Sequence, residues 1–148
     1  MNMKVIGRKD KIDLPDLKLR SIDCKIDTGA RTSSIHCEEI YLTKRKHRST
    51  LHFKLLDESH PEYQNVVHSF DDFRIQKVKS SSGHSEKRYV IRTVVRVFDE
   101  LIETEFNLAN RKAMNYPILL GRKFLFKRFL VDVSKRNLSF KKNNDKTT

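Results

Sequence analysis

Apolar and polar residues alternate one for one along much of this chain, and a period of two dictates strands rather than helices. Ile22, Cys24 and Ile26 alternate with Asp23 and Lys25, and Leu51, Phe53 and Leu55 alternate with His52 and Lys54. Phe73 and Ile75 flank Arg74. Tyr89 to Phe98 is rich in β-branched and aromatic residues, and Ile102, Thr104, Phe106 and Leu108 alternate with Glu103, Glu105 and Asn107. Phe129 to Val133 and Leu138 to Phe140 are shorter late strands. The best helix is brief, Arg122 to Arg128 after Gly121. Several strands with short connections and little helix imply an all-β barrel or sandwich.

Turn chemistry divides these strands. Lys44-Arg45-Lys46-His47-Arg48 reads as a solvated turn, and Asp57 to Asn65, with Pro61, as a loop. Lys79 to Ser85, with Gly83, suits a hairpin tip between strands at Phe73–Val78 and Tyr89–Phe98. The 148 residues fit one domain that can bury its own core. That domain is placed at residues 1–140. Residues 141–148 contain no apolar side chain and are expected to form a disordered basic tail. No apolar run is long enough to span a membrane, and the first residues do not resemble a signal sequence. Cys24 and Cys37 are too few for a disulfide scaffold or a four-thiolate zinc site. Cys24 is in step with Ile22 and Ile26, so a buried free thiol and a cytoplasmic setting are expected.

Charge narrows the partners without choosing one. The chain carries 31 Lys and Arg against 19 Asp and Glu, a net +12. Such a surface steers anions towards it: nucleic acid, the ribosome, anionic lipid or acidic peptides. Aromatic residues are 9% with no Trp, and no stacking platform for RNA is evident.

Two short motifs carry chemistry. Asp27-Thr28-Gly29-Ala30 directly follows the alternating strand that ends at Ile26. Far downstream, Ile118-Leu119-Leu120 runs into Gly121-Arg122 and then Lys123-Phe124-Leu125. An Asp-Thr-Gly triplet alone is common. After a strand, and with a hydrophobic strand ending in Gly-Arg, it resembles the retropepsin-like aspartic peptidases. More narrowly, the chain is similar to a bacterial family labelled ATP-dependent zinc proteases. The resemblance is carried by Val5 to Arg8, Lys25 to His36, Ser82-Gly83 with Glu86 to Ile91, Asn110-Arg111 with Met114, Pro117 to Arg122, and Leu130-Val131-Asp132. It reaches to about Phe140 and is weakest across Thr43 to Phe70.

The resemblance implies a closed β-barrel of the retropepsin type with one short C-terminal helix. Asp27 would be the catalytic carboxylate, with Thr28 fixing the loop and Gly29 allowing two loops to approach closely. Ala30, Arg31 and a flap at Ser82 and Gly83 would bind substrate; Gly121 and Arg122 would be structural. Aspartic peptidases need two nearby carboxylates sharing one proton, because both cannot be ionised at that distance. Only one Asp-Thr-Gly is present, and Asp132-Val133-Ser134 does not match. The pair therefore requires a homodimer in which Asp27 meets its symmetry mate.

Arg31 departs from the viral members, which have an acidic residue there to pair with the arginine of Gly-Arg. Arg122 must then find another carboxylate, with Asp132, Glu38 and Glu39 as candidates, and Arg31 could bind an acidic substrate. The zinc and ATP parts of the family label gain no support. His36-Cys37-Glu38-Glu39-Ile40 lacks a second histidine one turn on, and no phosphate-binding loop occurs. No metal and no cofactor is expected. Bacterial relatives are often found beside an ATP-grasp ligase that adds glutamates to a ribosomal protein. The resemblance therefore implies a peptide or acidic protein substrate, such as a glutamate-modified ribosomal protein tail, and association with the ribosome. The alternative is a non-catalytic basic module on the same fold that binds RNA, the ribosome or an acidic protein. Lys44–Arg48, Lys77–Lys79 and the Lys-rich tail would supply its contacts.

Overall fold

The period of two in the sequence becomes a period of two in burial. The computed structural model describes residues 3–79 and 82–145. Its strands are β1 (Lys4–Ile6), β2 (Lys9–Leu14), β3 (Leu19–Ile26), β4 (Ser33–Arg45), β5 (Arg48–Leu55), β6 (Val67–Phe70), β7 (Arg74–Lys79), β8 (Ser85–Val97), β9 (Glu100–Ala109), β10 (Ile118–Leu120) and β11 (Phe129–Val131). Two α-helices, α1 (Arg122–Leu125) and α2 (Leu138–Asp145), and a 3₁₀ turn at Pro15–Leu17 complete the described residues. The fold is thus mostly β. In β3, Ile22, Cys24 and Ile26 point inward, as their alternation requires. Leu51, Phe53 and Leu55 of β5 do the same. They join Ile12, Leu14, Ile35, Ile91, Val95, Phe106, Ile118 and Leu120 in one core. Both thiols are buried and free.

Nine strands form one sheet in the order β10-β3-β2-β8-β9-β4-β5-β6, with β7 on β8. β10 pairs twice. It runs parallel to β3, with Ile118 opposite Cys24 and Leu120 opposite Ile26. It runs antiparallel to β4, with Ile118 opposite Ile35 and Leu119 opposite Ser34. The pairings therefore trace a ring through β10, β3, β2, β8, β9 and β4. β1 and β11 make a separate parallel pair. The insertion of β10 between β3 and β4 positions the site, because the chain leaves β3 at Asp27 and leaves β10 at Gly121.

Several expectations are corrected. Leu138 to Phe140 is the start of α2, not a strand. The cause is Asp10, inward-facing on β2 and 1% exposed. Its carboxylate accepts from the N–H groups of Ser139 (2.9 Å) and Phe140 (3.1 Å). Those donors would otherwise be orphaned at a helix start. The stretch expected to be a mobile tail from Lys141 is helical through Asp145; residues 146–148 lie outside the described residues. α1 is a single turn, ended by Phe126 in an extended conformation. The basic run is a tight hairpin end, with Lys44, Arg45 and Arg48 in strands and Lys46 at φ 53°. β2 escaped notice because its inward positions begin with an aspartate. No helix among the described residues is long and apolar enough to cross a membrane.

Candidate active site

Asp27 stands at the end of β3, where β10 still holds it: its N–H donates to Leu120 O at 2.9 Å. The chain then folds back on itself. Gly29 N–H donates to Asp27 Oδ1 at 2.9 Å, and Ala30 N–H to Asp27 O at 3.3 Å. The Asp27 side chain is thus oriented by its own loop. Asp27 is half-buried while Thr28 and Gly29 are exposed, so this turn faces outward.

Gly121 and Arg122 clasp that loop from behind. Gly121 N–H donates to Ser33 Oγ at 3.1 Å, Arg122 N–H to Ala30 O at 2.8 Å, and Lys123 N–H to Arg31 O at 3.0 Å. A Cβ at Gly121 would lie 2.8 Å from Ala30 O and 3.0 Å from Thr32 O, so the close approach requires glycine. Arg122 does not pair with any of the carboxylates expected for it. Its Nη1 donates to Thr28 O at 3.1 Å, tying the Asp-Thr-Gly turn directly. Asp132 instead accepts from Ser134, and Glu39 pairs with Lys54. The missing acid at position 31 is replaced by a backbone carbonyl.

Ala30 and Arg31 open onto a cleft of about 390 Å³ beneath the β7–β8 hairpin. Its cations are Arg31, Lys77, Lys79, Arg88 and Arg111, and none of its lining residues is acidic. Arg111 is the most constrained. Burial first, and the neighbouring Arg88 guanidinium second, pull its pKa below the usual arginine range, while the Asp27 carboxylate acts in the opposite sense. Ser82 and Gly83 sit at the hairpin tip, Gly83 at φ 85°; Ser80 and Ser81 lie outside the described residues. Arg31 stood out in the sequence as a cleft residue, whereas Arg88 and Arg111 did not. Both lie inside blocks of the resemblance, which was the available signal.

Behind the cleft, His36 is buried with Asp57, Nε2 to Oδ2 at 2.8 Å. His36 Nδ1 accepts from the Arg111 backbone N–H at 2.7 Å. A neutral imidazole with Nδ1 accepting must carry its proton on Nε2, which therefore donates to Asp57. His36, Glu38 and Asp57 bring ligand atoms within 4.8 Å of one another. A cation on Nε2 would displace that proton and leave Nδ1 facing an N–H with no proton elsewhere on the ring. The hydrogen bonds thus make the group a loop clamp rather than a metal centre.

A family model described as RimB-like, retropepsin-like aspartic endopeptidase RimB, matches residues 5–142. The chain belongs to the RimB-like family. Proteins named probable alpha-L-glutamate ligase are also similar. That of Shewanella pealeana is 36% identical over 137 residues, 90% of this chain and 29% of its own length. That of Desulfotalea psychrophila is 36% identical over 135 residues, 87% of this chain and 28% of its own. The chain spans less than a third of these relatives. A Legionella pneumophila protein of unknown function, solved by crystallography, superposes with a TM-score of 0.72 at 27% identity, covering 93% of this chain and 99% of that one. The RimB-like match includes both the Asp27 loop and the Gly121-Arg122 clasp.

Proposed function

We propose that this RimB-like chain is an aspartic endopeptidase that works as a homodimer on acidic peptides. The observation that carries the reading is the Asp27 turn, outward-facing yet fixed by Leu120, Gly29 and Arg122. A fixed acidic turn at the surface is what a twofold partner needs in order to complete a carboxylate pair. Across the axis, one Asp27 would be ionised and take a proton from water. The other would be protonated and donate to the scissile carbonyl. The ring of strand pairings is read here as the closed retropepsin barrel. The hairpin bearing Ser82 and Gly83 is read as the flap that excludes water over the substrate. Buried free thiols suit a reducing, cytoplasmic setting.

The cleft supports the acidic substrate. Five cations without a lining carboxylate favour an anionic ligand over a neutral one. The relatives' ligase name points the same way, since a domain carried beside a glutamate-joining one would meet glutamate-rich products. The ligase name stays with those proteins, of which this chain matches less than a third. The test is cleavage of a glutamate-rich peptide by the wild type and by Asp27→Asn, with sedimentation run at the assay concentration. Cleavage by a dimer, abolished in the variant, is expected. Full activity in a monomer, or in Asp27→Asn, would overturn the reading. Peptide binding without cleavage in either protein would favour a non-catalytic basic module, for which the exposed Lys44–Arg48 hairpin end offers a surface.

A further inference from the structure

Three buried polar atoms lack any hydrogen-bond partner among the described residues: Ser34 Oγ, Gln76 Oε1 and Arg88 Nε. All three residues line the same cleft beside Asp27. A buried unpaired polar group is costly, and native proteins rarely leave one without reason. Three in one cleft point to a ligand that is absent from the free chain.

The sheet register explains how they meet. Gln76 and Arg88 are direct cross-strand partners in the β7–β8 hairpin. Ser34 pairs with Asn107 across β4 and β9. Arg88 Nη1 donates to Asn107 Oδ1 at 3.2 Å, which joins the hairpin to the Ser34 position. The Arg88 side chain is 25% exposed, and its acidic neighbour Glu86, 3.7 Å away, is 67% exposed and outside the cleft lining. Arg111 adds a second guanidinium, its Nε turned to Tyr116 O at 3.2 Å. The two half-buried guanidiniums repel each other, the Asp27 carboxylate only opposes this at Arg111, and a further anion at the pair would be favoured.

Resting on the acidic-peptide reading above, we propose that Ser34, Arg88 and Arg111 form a subsite for one side-chain carboxylate of the substrate. Gln76 Oε1 is the carbonyl acceptor beside these donors, its Nε2 being turned to Thr32 Oγ1 at 3.5 Å. It takes a backbone N–H from the same substrate residue. A glutamyl residue within a peptide supplies both the carboxylate and the N–H. The protein would then read one acidic side chain at a fixed distance from Asp27, rather than the peptide's total charge. Arg31, Lys77 and Lys79 are exposed or at the rim and attract the peptide without fixing its register. Contacts of that rim type are screened by salt, whereas a half-buried pair is screened much less.

The test uses the full chain carrying Asp27→Asn, so that peptide is bound and not cut. Binding of a fluorescent oligoglutamate is followed by anisotropy while each glutamate in turn is replaced by glutamine. One position is expected to lower affinity roughly tenfold or more, and the others much less. That position's effect persists from about 0.05 M to about 0.5 M salt, while the general attraction fades. Adding Arg88→Gln or Arg111→Gln removes the special position, whereas Lys77→Gln leaves it in place. A flat scan, with every glutamate worth the same, overturns the subsite and leaves the acidic-peptide reading standing. No binding of any oligoglutamate at low salt overturns both. The scan on Asp27→Asn alone decides the matter even if an arginine variant misfolds.

Discussion

The His36 imidazole bridges Asp57 and the backbone N–H of Arg111, at 2.8 and 2.7 Å, with both side chains buried. Its main chain grips the same loop, since His36 N–H donates to Pro117 O at 2.8 Å. One residue of β4 thereby sets the segment that carries Arg111 into the cleft. His36→Leu leaves the Arg111 N–H unpaired and is expected to cost about 1–3 kcal/mol of stability. His36→Asn retains an acceptor near Nδ1 and should recover part of that loss. Denaturant unfolding of the two variants measures the difference. Equal destabilisation would show that shape, not the hydrogen bond to Arg111, is what matters.

Asp57 gives the same cluster a pH signature. Hydrogen bonds from Ser59, its hydroxyl first and then its N–H, outweigh burial, and His36 adds to them; together they hold the carboxyl below its usual range. The folded state therefore binds this proton less readily than the unfolded chain. The stability it gives is complete above the unfolded value near 3.8 and is lost as pH falls through the lower folded value. Thermal melts between about pH 5 and pH 2 should show a steeper loss for wild type than for Asp57→Asn.

Asp10 works as a helix cap 129 residues from the helix it serves. Burial raises its pKa, while the N–H groups of Ser139, Lys11 and Phe140 pull it down. Asp10→Ala should free the first turn of α2 and lower stability by about 1–2 kcal/mol. Limited proteolysis should then cut near Ser139 before the sheet unfolds. A variant whose α2 stays as resistant as wild type would argue against the cap.

Gly121 is the tightest point of the site. Alanine there must displace the carbonyls of Ala30 and Thr32, which belong to the loop that follows Asp27. Gly121→Ala is expected to cost about 1–3 kcal/mol and to suppress peptide cleavage further than that loss of fold explains. Gly7→Ala is the control, since its Cβ would meet the Lys135 carbonyl and disturb the fold without touching the Asp27 loop. Melting temperatures and activity at a temperature where both variants are folded separate the two effects.

Much of this was legible in the sequence. Alternation located β3, β5, β8 and β9, because each has one face in the core and one in water; β7 was located as well, although it buries no residue and Ile75 is 55% exposed. The Asp27 and Gly121 motifs stood out because strand ends need special residues. The rest depends on contacts that no local window contains. Leu138 to Phe140 reads as a strand until Asp10 is known to cap it. Arg122 seemed to need a carboxylate until Thr28 O took its place. Arg88 and Arg111 stood only within the stretches that carry the resemblance, because no local window shows that they share a cleft. His36 and Asp57 lie 21 residues apart and meet only across the fold.

Glu105 joins the base of the hairpin to the segment after the Gly-Arg clasp. It accepts from Arg74 Nε at 3.1 Å and from Lys123 Nζ at 3.5 Å. Arg74 begins β7, and Lys123 follows Arg122, so the carboxylate links the hairpin to the loop holding Asp27. The Arg74 hydrogen bond is the main reason its pKa lies below the usual range, with Lys123 adding to it and burial opposing. All three side chains are partly exposed, so the network is screened and Glu105→Gln should cost no more than about 1 kcal/mol. The larger effect is expected in motion. With one anchor gone, amide exchange in β7 should rise while exchange in β3 stays unchanged. The stability difference should vanish as pH falls through the lowered Glu105 value, because the wild-type carboxylate is then protonated as well. Unchanged exchange in β7 would mean that backbone pairing to β8 alone holds the hairpin base, and that Glu105 only decorates it.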